Sequence, residues 1–324
     1  MAGGTERALR RRIKSVQSTK KITRAMELIA ATRVAKAQQR VQAARPYSEQ
    51  ITEVIQHMAD AGGMIDHPLL RPAEKVSKVA FVVITGDRGL AGAYNSNVIR
   101  AAEREIQARR AEGQDYSLVV CGKKGVSYFR FRGYRIDAEF TGMSDTPTYE
   151  DARQVAETVT ELFESGDVQE VVLVYTRFLS VGTQRVTVRQ FMPLTGVGAE
   201  EVDRGATATY EFEPDPAGIL AHLLPRYVEA RLYAAMLDAA ASEHAARQRA
   251  MKSATDNADE LIVKLSRVMN RARQDAITTE IMEIVGGAEA LRAGQADESD
   301  LLPDYALHVF DIAGRHGEPE HHHA

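Results

Sequence analysis

A glycine-rich segment, ITGDRGLAGAYN at Ile84–Asn95, is the part of the sequence best suited to binding a phosphate. It follows an apolar run that predicts a strand and precedes a predicted helix, where phosphate-binding loops lie in doubly wound folds. However, it matches neither the G-x-G-x-x-G pattern nor a P-loop with its lysine. A tight turn in which Asp87 and Arg88 pair or cap is therefore favoured, and a nucleotide-dependent enzyme stays an alternative.

The other reactive side chains form no recognisable site in the sequence. The histidines His57, His67, His222 and His244 are far apart and lack H-x-x-x-H spacing or partner cysteines, so no metal site is predicted. The one cysteine, Cys121, lies in an apolar run typical of a buried strand. Carboxylates near the C-terminus are interpreted as a solvated face: Asp256, Asp259, Glu260, Glu280 and Glu283. We predict no catalytic residue, no cofactor and no metal.

The charge distribution indicates an acidic partner. The formal net charge of the 324 residues is −4, but residues 1–45 hold twelve Lys or Arg against two acids, Glu6 and Glu27. Residues 1–46 contain no aromatic side chain that could stack on a base. An acidic protein surface is therefore favoured, and a coiled-coil nucleic-acid binder is the alternative. No run approaches about 18 consecutive apolar residues, so no membrane span is predicted.

Short apolar runs alternate with helical patterns in the middle of the chain. The predicted strands are Val79–Thr85, Tyr116–Cys121, Ile136–Phe140, Val168–Tyr175 and Val186–Phe191, the last as an antiparallel or edge strand. Helices are predicted at Ser96–Glu112, Lys124–Arg132 and Thr148–Glu164. This alternation predicts an α/β, Rossmann-like domain with a mostly parallel sheet and helices on both faces.

Two long helical segments enclose that domain. In the first, Ala30, Val34, Ala37, Val41 and Ala44 follow the 4, 3, 4, 3 spacing of a heptad seam, and Ile22, Met26 and Ile29 form a second stripe. In the second, the predicted seam is Ala254, Ala258, Leu261, Leu265, Val268 and Ala272, after which Ile277, Ile281 and Ile284 continue in a shifted phase. Gly286–Gly287 is expected to fray or stop this helix. The two segments are predicted to form an antiparallel coiled coil.

Three segments together resemble the γ subunits of F-type ATP synthases. They are Ile13–Gln38 (IKSVQSTKKITRAMELIAATRVAKAQ), the loop ITGDRGLAGAYN, and Ser242–Leu291, which contains SEHAARQRAMKSATDNADELI and NRARQDAITTEIMEIVGGAEAL. The resemblance covers roughly residues 5–291, and the amino-acid sequence is similar to that of actinobacterial members of the family. One departure is Ala91, where the family pattern has cysteine, so a thiol there has no role in this chain.

The resemblance implies a non-catalytic rotor subunit whose terminal helices form an antiparallel coiled coil. The expected domains are a helix at 1–60, a Rossmann-like domain at 76–200, a helix at 213–291 and a disordered tail at 292–324. The implied partners are three alpha and three beta subunits, the epsilon subunit and the membrane c ring. The implied location is the cytoplasmic face of the bacterial cell membrane, with membrane contact only through the c ring.

The resemblance also implies interface residues. Met26 and Arg247 match positions that approach the acidic lever segment of a beta subunit. Gln274, Thr278 and Glu283 match positions tied to energy coupling with the beta subunits. Tyr210 and Glu213 match positions that contact the polar loops of the c ring.

Overall fold

The computed structural model describes residues 2–60, 67–194 and 216–299. The helices within these residues are α1 (Ala2–Asp60), α2 (Tyr94–Ala111), α3 (Lys123–Phe131), α4 (Tyr149–Glu164) and α5 (Pro216–Ser299). The strands are β1 (Lys78–Ile84), β2 (Asp115–Cys121), β3 (Ala138–Phe140), β4 (Glu170–Phe178) and β5 (Gln184–Met192). Each predicted strand and helix is present, with ends that differ by a few residues. The helix α1 runs through Pro46 and α5 through Pro225 without interruption.

The strands form one sheet in the order β3-β2-β1-β4-β5. The first four strands of this order are parallel, and β5 pairs antiparallel with β4 at the edge. The predicted, mostly parallel sheet with an antiparallel edge strand is thus confirmed. Because the chain adds β2 and β3 on one side of β1 and then returns to β4 on the other, its direction of winding switches between β1 and β4.

Alternate residues of the central strands enter two separate cores. On β1, Phe81 and Val83 pack with Ile106 of α2 and Phe129 of α3. The intervening residues of β1 face the opposite core, which holds α4 together with parts of both long helices. This period of two is the pattern of a strand buried on both faces, and it confirms that helices cover both sides of the sheet.

The chain divides into two compact units, one formed by Thr19–Asn257 and one by residues 1–18 with residues from 258 onward. Within the first unit, α1 and α5 run antiparallel. The Thr23 and Thr255 hydroxyls are 2.8 Å apart, whereas Ile55, much later in α1, shares a core with Leu224, near the start of α5. The predicted antiparallel pairing is therefore present in this unit.

The seam on α1 is longer and more polar than the sequence predicted. Side chains shielded from solvent recur at spacings of three and four: Leu9, Ile13, Val16, Lys20, Thr23, Glu27, Ala30, Val34, Ala37, Val41, Ala44, Ser48, Ile51 and Ile55. The predicted positions from Ala30 to Ala44 belong to this seam. The second predicted stripe does not, because Ile22 is 61% and Ile29 54% exposed.

The predicted seam on α5 is only partly right. Ala254, Ala258, Leu265 and Ala272 are buried or half-buried, but Leu261 and Val268 are exposed. The observed seam is Met251, Thr255, Ala258, Ile262, Leu265, Met269 and Ala272. Ile277, Ile281 and Ile284 are exposed, so the shifted stripe is not a continuation of it. The prediction that Gly286–Gly287 ends the helix is also wrong, since α5 continues to Ser299.

The loop after β1 and the loop after β2 approach each other at Gly122. This residue has φ +98°, and a Cβ there would lie 2.2 Å from the Thr85 carbonyl oxygen. The Thr85 hydroxyl donates to the Cys121 carbonyl oxygen at 2.9 Å and accepts from the Gly125 amide at 3.0 Å. Glycine is needed at Gly122 both for the left-handed backbone and for the close approach.

We predict that Gly122→Ala lowers the free energy of unfolding by roughly 3 kcal/mol or more, because backbone must move to relieve the collision. Gly133→Ala is the matched control, since Gly133 has φ +75° but open space around it. Its expected cost is only the left-handed penalty of about 1–2 kcal/mol. Chemical denaturation of the full chain measures both. Equal losses would contradict the close approach.

Candidate functional site

The helix α5 lies over the carboxyl ends of β1 and β4. The Ser242 hydroxyl donates to the Thr176 carbonyl oxygen of β4 at 3.2 Å. A Cβ on Gly86, just after β1, would lie 2.8 Å from the carboxylate of Glu243. In open α/β sheets, ligands bind in the crevice outside the strand ends where the winding switches. In this chain, α5 fills that crevice with its own side chains.

The glycine-rich loop is held by its own polar groups. The Gly86 amide donates to Asn95 Oδ1 at 2.8 Å. The Asp87 carboxylate accepts from the amides of Lys123 at 3.0 Å, Gly142 at 2.9 Å and Ser144 at 3.1 Å. Lys123 is the first residue of α3, so Asp87 occupies the anion-attracting end of that helix. Asp87 therefore caps a helix, as predicted, but the helix is α3 and not α2, which follows the turn directly.

The ionisation of Asp87 follows from these contacts. Burial raises the pKa of the carboxyl, but the backbone donors of Gly142, Ser144 and Lys123 outweigh burial and hold the pKa below 3.8. Asp87 is therefore an anion at neutral pH. Both positions at which a nucleotide phosphate would bind in such a fold, the β1 loop and the start of α3, are occupied by carboxylates of the chain, Glu243 and Asp87.

A buried charge cluster continues from Glu243 along α5. Arg247 donates to Glu243 Oε1 and, at 3.4 Å, to the Gly89 carbonyl oxygen. The exposed fractions of Glu243 and Arg247 are 1% and 7%. An unpaired charge at that depth would be very unfavourable, so the ion pair with Arg247 compensates for the burial of the Glu243 carboxylate. The second oxygen, Glu243 Oε2, has no hydrogen-bond partner among the described residues.

His244 joins this cluster to the loop before α4. Its Nε2 lies 3.0 Å from the Asp145 carbonyl oxygen, and its Nδ1 lies 3.4 Å from Arg247 Nη1. Because a guanidinium only donates, Nδ1 must accept, and the ring proton is on Nε2. Burial, together with the charge of Arg247, lowers the pKa of His244 below 6.5. The imidazole is therefore neutral at pH 7.

The predicted beta-facing residues of this unit differ in environment. Met26 is half-buried on α1, between the exposed Ile22 and Ile29. Arg247 is buried and ion-paired, so its guanidinium is not a free surface cation. The burial of Arg247 was not predicted, because arginine is rarely buried. The available signal was the polar pair Glu243 and Arg247, four residues apart within an alanine-rich stretch.

The remaining predicted site residues are exposed or lie outside the described part. Gln274, Thr278 and Glu283 are exposed on α5. The Thr278 hydroxyl donates to the Gln274 carbonyl oxygen at 3.0 Å, and these two residues are about one turn apart on one face. Glu283 lies on the opposite face from Gln274, about two and a half turns further along. Tyr210 and Glu213 lie outside the described residues.

The described residues contain no metal-binding cluster and no membrane-spanning helix. In residues 2–60, 67–194 and 216–299, no group of three or more His, Cys, Asp or Glu side chains is arranged to hold a metal ion. Among the helices of this described part, none is long and apolar enough to cross a membrane.

The comparisons with known proteins identify the class. A family model described as ATP synthase matches residues 5–291. An ATP synthase gamma chain of Frankia casuarinae is 54% identical over 296 residues, which cover 90% of this chain and 99% of that protein. An ATP synthase gamma chain of Nocardioides sp. is 50% identical over 90% of this chain and 97% of its own length. The chain belongs to the ATP synthase gamma chain family.

Solved structures agree on the fold. A chain of the Euglena gracilis mitochondrial ATP synthase (OSCP/F1/c-ring, rotational state 3) has a TM-score of 0.61 and 19% identity, covering 90% of this chain and 96% of its own. A chain of the Tetrahymena thermophila mitochondrial ATP synthase (central stalk/c-ring) has a TM-score of 0.54 and 21% identity, covering 72% of this chain and 99% of its own. At such identities these structures support the fold alone.

We predict that Asp87→Asn lowers the free energy of unfolding by about 1–3 kcal/mol at pH 7, because an amide nitrogen replaces one acceptor oxygen facing backbone donors. Since the folded pKa of Asp87 is lowered, its stabilisation is complete above the ordinary value of 3.8 and is lost as pH falls through the folded value. The difference between variant and wild type should therefore shrink in acid.

The matched control for this prediction is Asp167→Asn. Asp167 pairs with Lys78 at 2.7 Å on the surface, and half of its side chain is exposed, so its loss should change stability by at most about 1 kcal/mol. Chemical denaturation of the full chain at several pH values gives the comparison. An Asp87→Asn effect that is no larger than the control, or that grows in acid, would contradict the capping role.

Proposed function

We propose that this chain is the non-catalytic central-stalk subunit of an F-type, proton-translocating ATP synthase. The observation that carries the proposal is that α5, with Glu243 against Gly86, fills the crevice in which a doubly wound domain would bind a ligand. The domain thus holds a long helix instead of a nucleotide. Membership of the gamma chain family over residues 5–291 supports the same role.

The proposed mechanism is mechanical. Proton flow turns the c ring, the α/β domain turns with it, and the long helices pass the rotation to the catalytic beta subunits. One charge crossing the membrane releases about 2.3 kcal/mol per 100 mV, so several protons must pass for each ATP. As the helices turn, each beta subunit meets a different face and its nucleotide state is biased accordingly.

The proposed partners are three alpha and three beta subunits, one epsilon subunit and the c ring, with no nucleic acid. The chain lies peripherally at the cytoplasmic face of the bacterial cell membrane and meets the membrane only through the c ring. The proposed modules are residues 1–60, 76–200 and 213–291. The segment 292–324 has no assigned role, although its first residues, up to Ser299, are helical.

The interface residues remain proposals. Met26, Arg247, Gln274, Thr278 and Glu283 are assigned to the beta subunits, and Tyr210 and Glu213 to the c ring. The exposure of Ile22 and Ile29 beside Met26 supports a partner for that surface of α1. Surface ion pairs from the basic α1 would contribute only about 0–1 kcal/mol each, which allows attraction without locking. The burial of Arg247 favours an indirect role, through α5 and the Gly89 loop.

Co-purification tests the assembly. A tagged full chain, expressed with the other subunits, should retain alpha, beta and epsilon at ratios of about three, three and one to itself, the stoichiometry that one central shaft in a closed threefold ring requires. Recovery of the chain without alpha and beta subunits would overturn the proposed function. Nucleotide added to the isolated chain should show no binding in equilibrium dialysis.

We predict that Met26→Lys impairs coupling more than assembly, because it adds a charge at the proposed beta contact. The assembled complex should hydrolyse ATP while pumping fewer protons per ATP than wild type. Ala35→Lys adds the same charge on the same helix, at an exposed position about two and a half turns away on the opposite face. Full proton pumping in the Met26→Lys complex, or an equal loss in the control, would sink the assignment.

A further inference from the structure

One residue of the α/β domain contacts both long helices. Asp145, in the loop between β3 and α4, accepts hydrogen bonds from Arg33 Nη1 of α1 on both of its carboxylate oxygens. Its carbonyl oxygen accepts from His244 Nε2 of α5 at 3.0 Å, and the same ring nitrogen lies 3.7 Å from Asp145 Oδ1. The domain, α1 and α5 therefore meet at this residue, α1 through the carboxylate and α5 mainly through the backbone carbonyl.

The contact continues through α5 into a second loop of the domain. From His244, the cluster passes to Arg247, which binds Glu243 and the Gly89 carbonyl oxygen. The loops at Asp145 and Gly89 thus both bind α5, and the Asp145 loop also binds α1. All of these residues lie within the unit Thr19–Asn257.

The other contacts of α1 with the core of this unit are apolar, and the hydroxyl pair Thr23–Thr255 joins α1 to α5 rather than to the domain. Ala30, Val34 and Ala37 on its seam are small or branched apolar residues, and Ile51 and Ile55 enter the core beneath the sheet. Apolar burial opposes separation but is non-directional, so a seam of small residues resists turning of the helix weakly. A charge-assisted bond from Arg33 to a carboxylate adds directional specificity that apolar contacts lack. The Asp145 contact therefore fixes the angular position of α1 relative to the domain.

We propose that Asp145 is a positioning residue of the rotor, which ties α1 and α5 to the α/β domain so that rotation of the domain reaches both helices together. The inference rests on the proposed function, because a torque path exists only in a rotating assembly. Arg33 connects Asp145 to α1 through the carboxylate. His244, which is neutral with its proton on Nε2, connects Asp145 to α5 through the carbonyl oxygen.

The experiment uses assembled complexes that contain Asp145→Asn or Arg33→Gln. Asparagine keeps the volume and the carbonyl contact to His244 but removes the charge that binds Arg33. We expect ATP hydrolysis close to wild type but fewer protons pumped per ATP. With the rotor stalled, the angle of a probe on the α/β domain should be distributed about twofold more widely, because a neutral hydrogen bond is weaker than a charge-assisted one. Asp145→Glu, which retains a carboxylate, should restore part of the coupling.

Glu139→Gln is the matched control. Glu139 pairs with Arg130 at 2.7 Å on the surface of the same domain and touches neither long helix through that pair. It should leave both pumping and angular width unchanged. Wild-type pumping and angular width in both Asp145→Asn and Arg33→Gln, or the same change in the control, would overturn the proposal.

Two further outcomes are decisive. If Asp145→Asn fails to assemble, Arg33→Gln decides alone, because it leaves the domain loop and the α5 contacts intact. If the wild-type complex assembles and pumps and both variants behave like it, the positioning role is rejected. The proposed function is not affected by that outcome. A wild-type chain that does not co-purify with the alpha and beta subunits rejects the proposed function itself.

Discussion

The packing of α5 into the crevice between β1 and β4 is the constraint on which the rest of this structure depends. It brings the carboxylate of Glu243 against Gly86, where any side chain would collide with it. A carboxylate with 1% exposure needs a cation, which explains Arg247 one turn further along the helix. Arg247 in turn fixes the tautomer of His244 and so the donor that reaches Asp145. The charge or hydrogen bond of each residue in the cluster thus accounts for the position of the next.

The same constraint separates fold from activity in this chain. Related folds bind phosphates with three features that this chain also has. These are the order of the strands, the glycine-rich turn after β1 and the backbone amides at the start of α3. In this chain, the carboxylates of Glu243 and Asp87 occupy both positions. The geometry that would bind a phosphate therefore holds α5 and the loops of the domain together instead. A domain that is bound permanently to a helix can transmit force to that helix, which suits a rotor subunit and does not suit an enzyme that must release a product.

The sequence predicted the sheet well because its central strands β1, β2 and β4 are buried on both faces and are continuous apolar runs in the sequence. It predicted the helix pairing less well, because hydrophobic periodicity cannot recognise polar seam positions such as Lys20, Thr23 and Thr255 on the long helices. Leu261 and Val268 are apolar, as seam residues usually are, but they are exposed. Each lies one residue before an observed seam position, Ile262 or Met269. The charge cluster was beyond sequence reasoning, since Arg33, Asp145 and His244 come from three distant segments. Their meeting depends on tertiary structure, for which single-sequence patterns carry no signal.

A reversible cross-link between α5 and the domain gives the most direct test of the central claim, that they turn as one body. A Cβ built on Gly92 lies 3.8 Å from the Cβ of Ala250, about the mean separation in disulfides. Gly92 has φ +57°, so a cysteine there carries the left-handed penalty in the oxidised and the reduced complex alike. The assembled complex with Gly92→Cys and Ala250→Cys should pump the same number of protons per ATP whether the disulfide is oxidised or reduced. Pumping that is present after reduction and lost on oxidation, with the bond verified by mass, would mean that α5 moves against the domain in every cycle and would contradict the account.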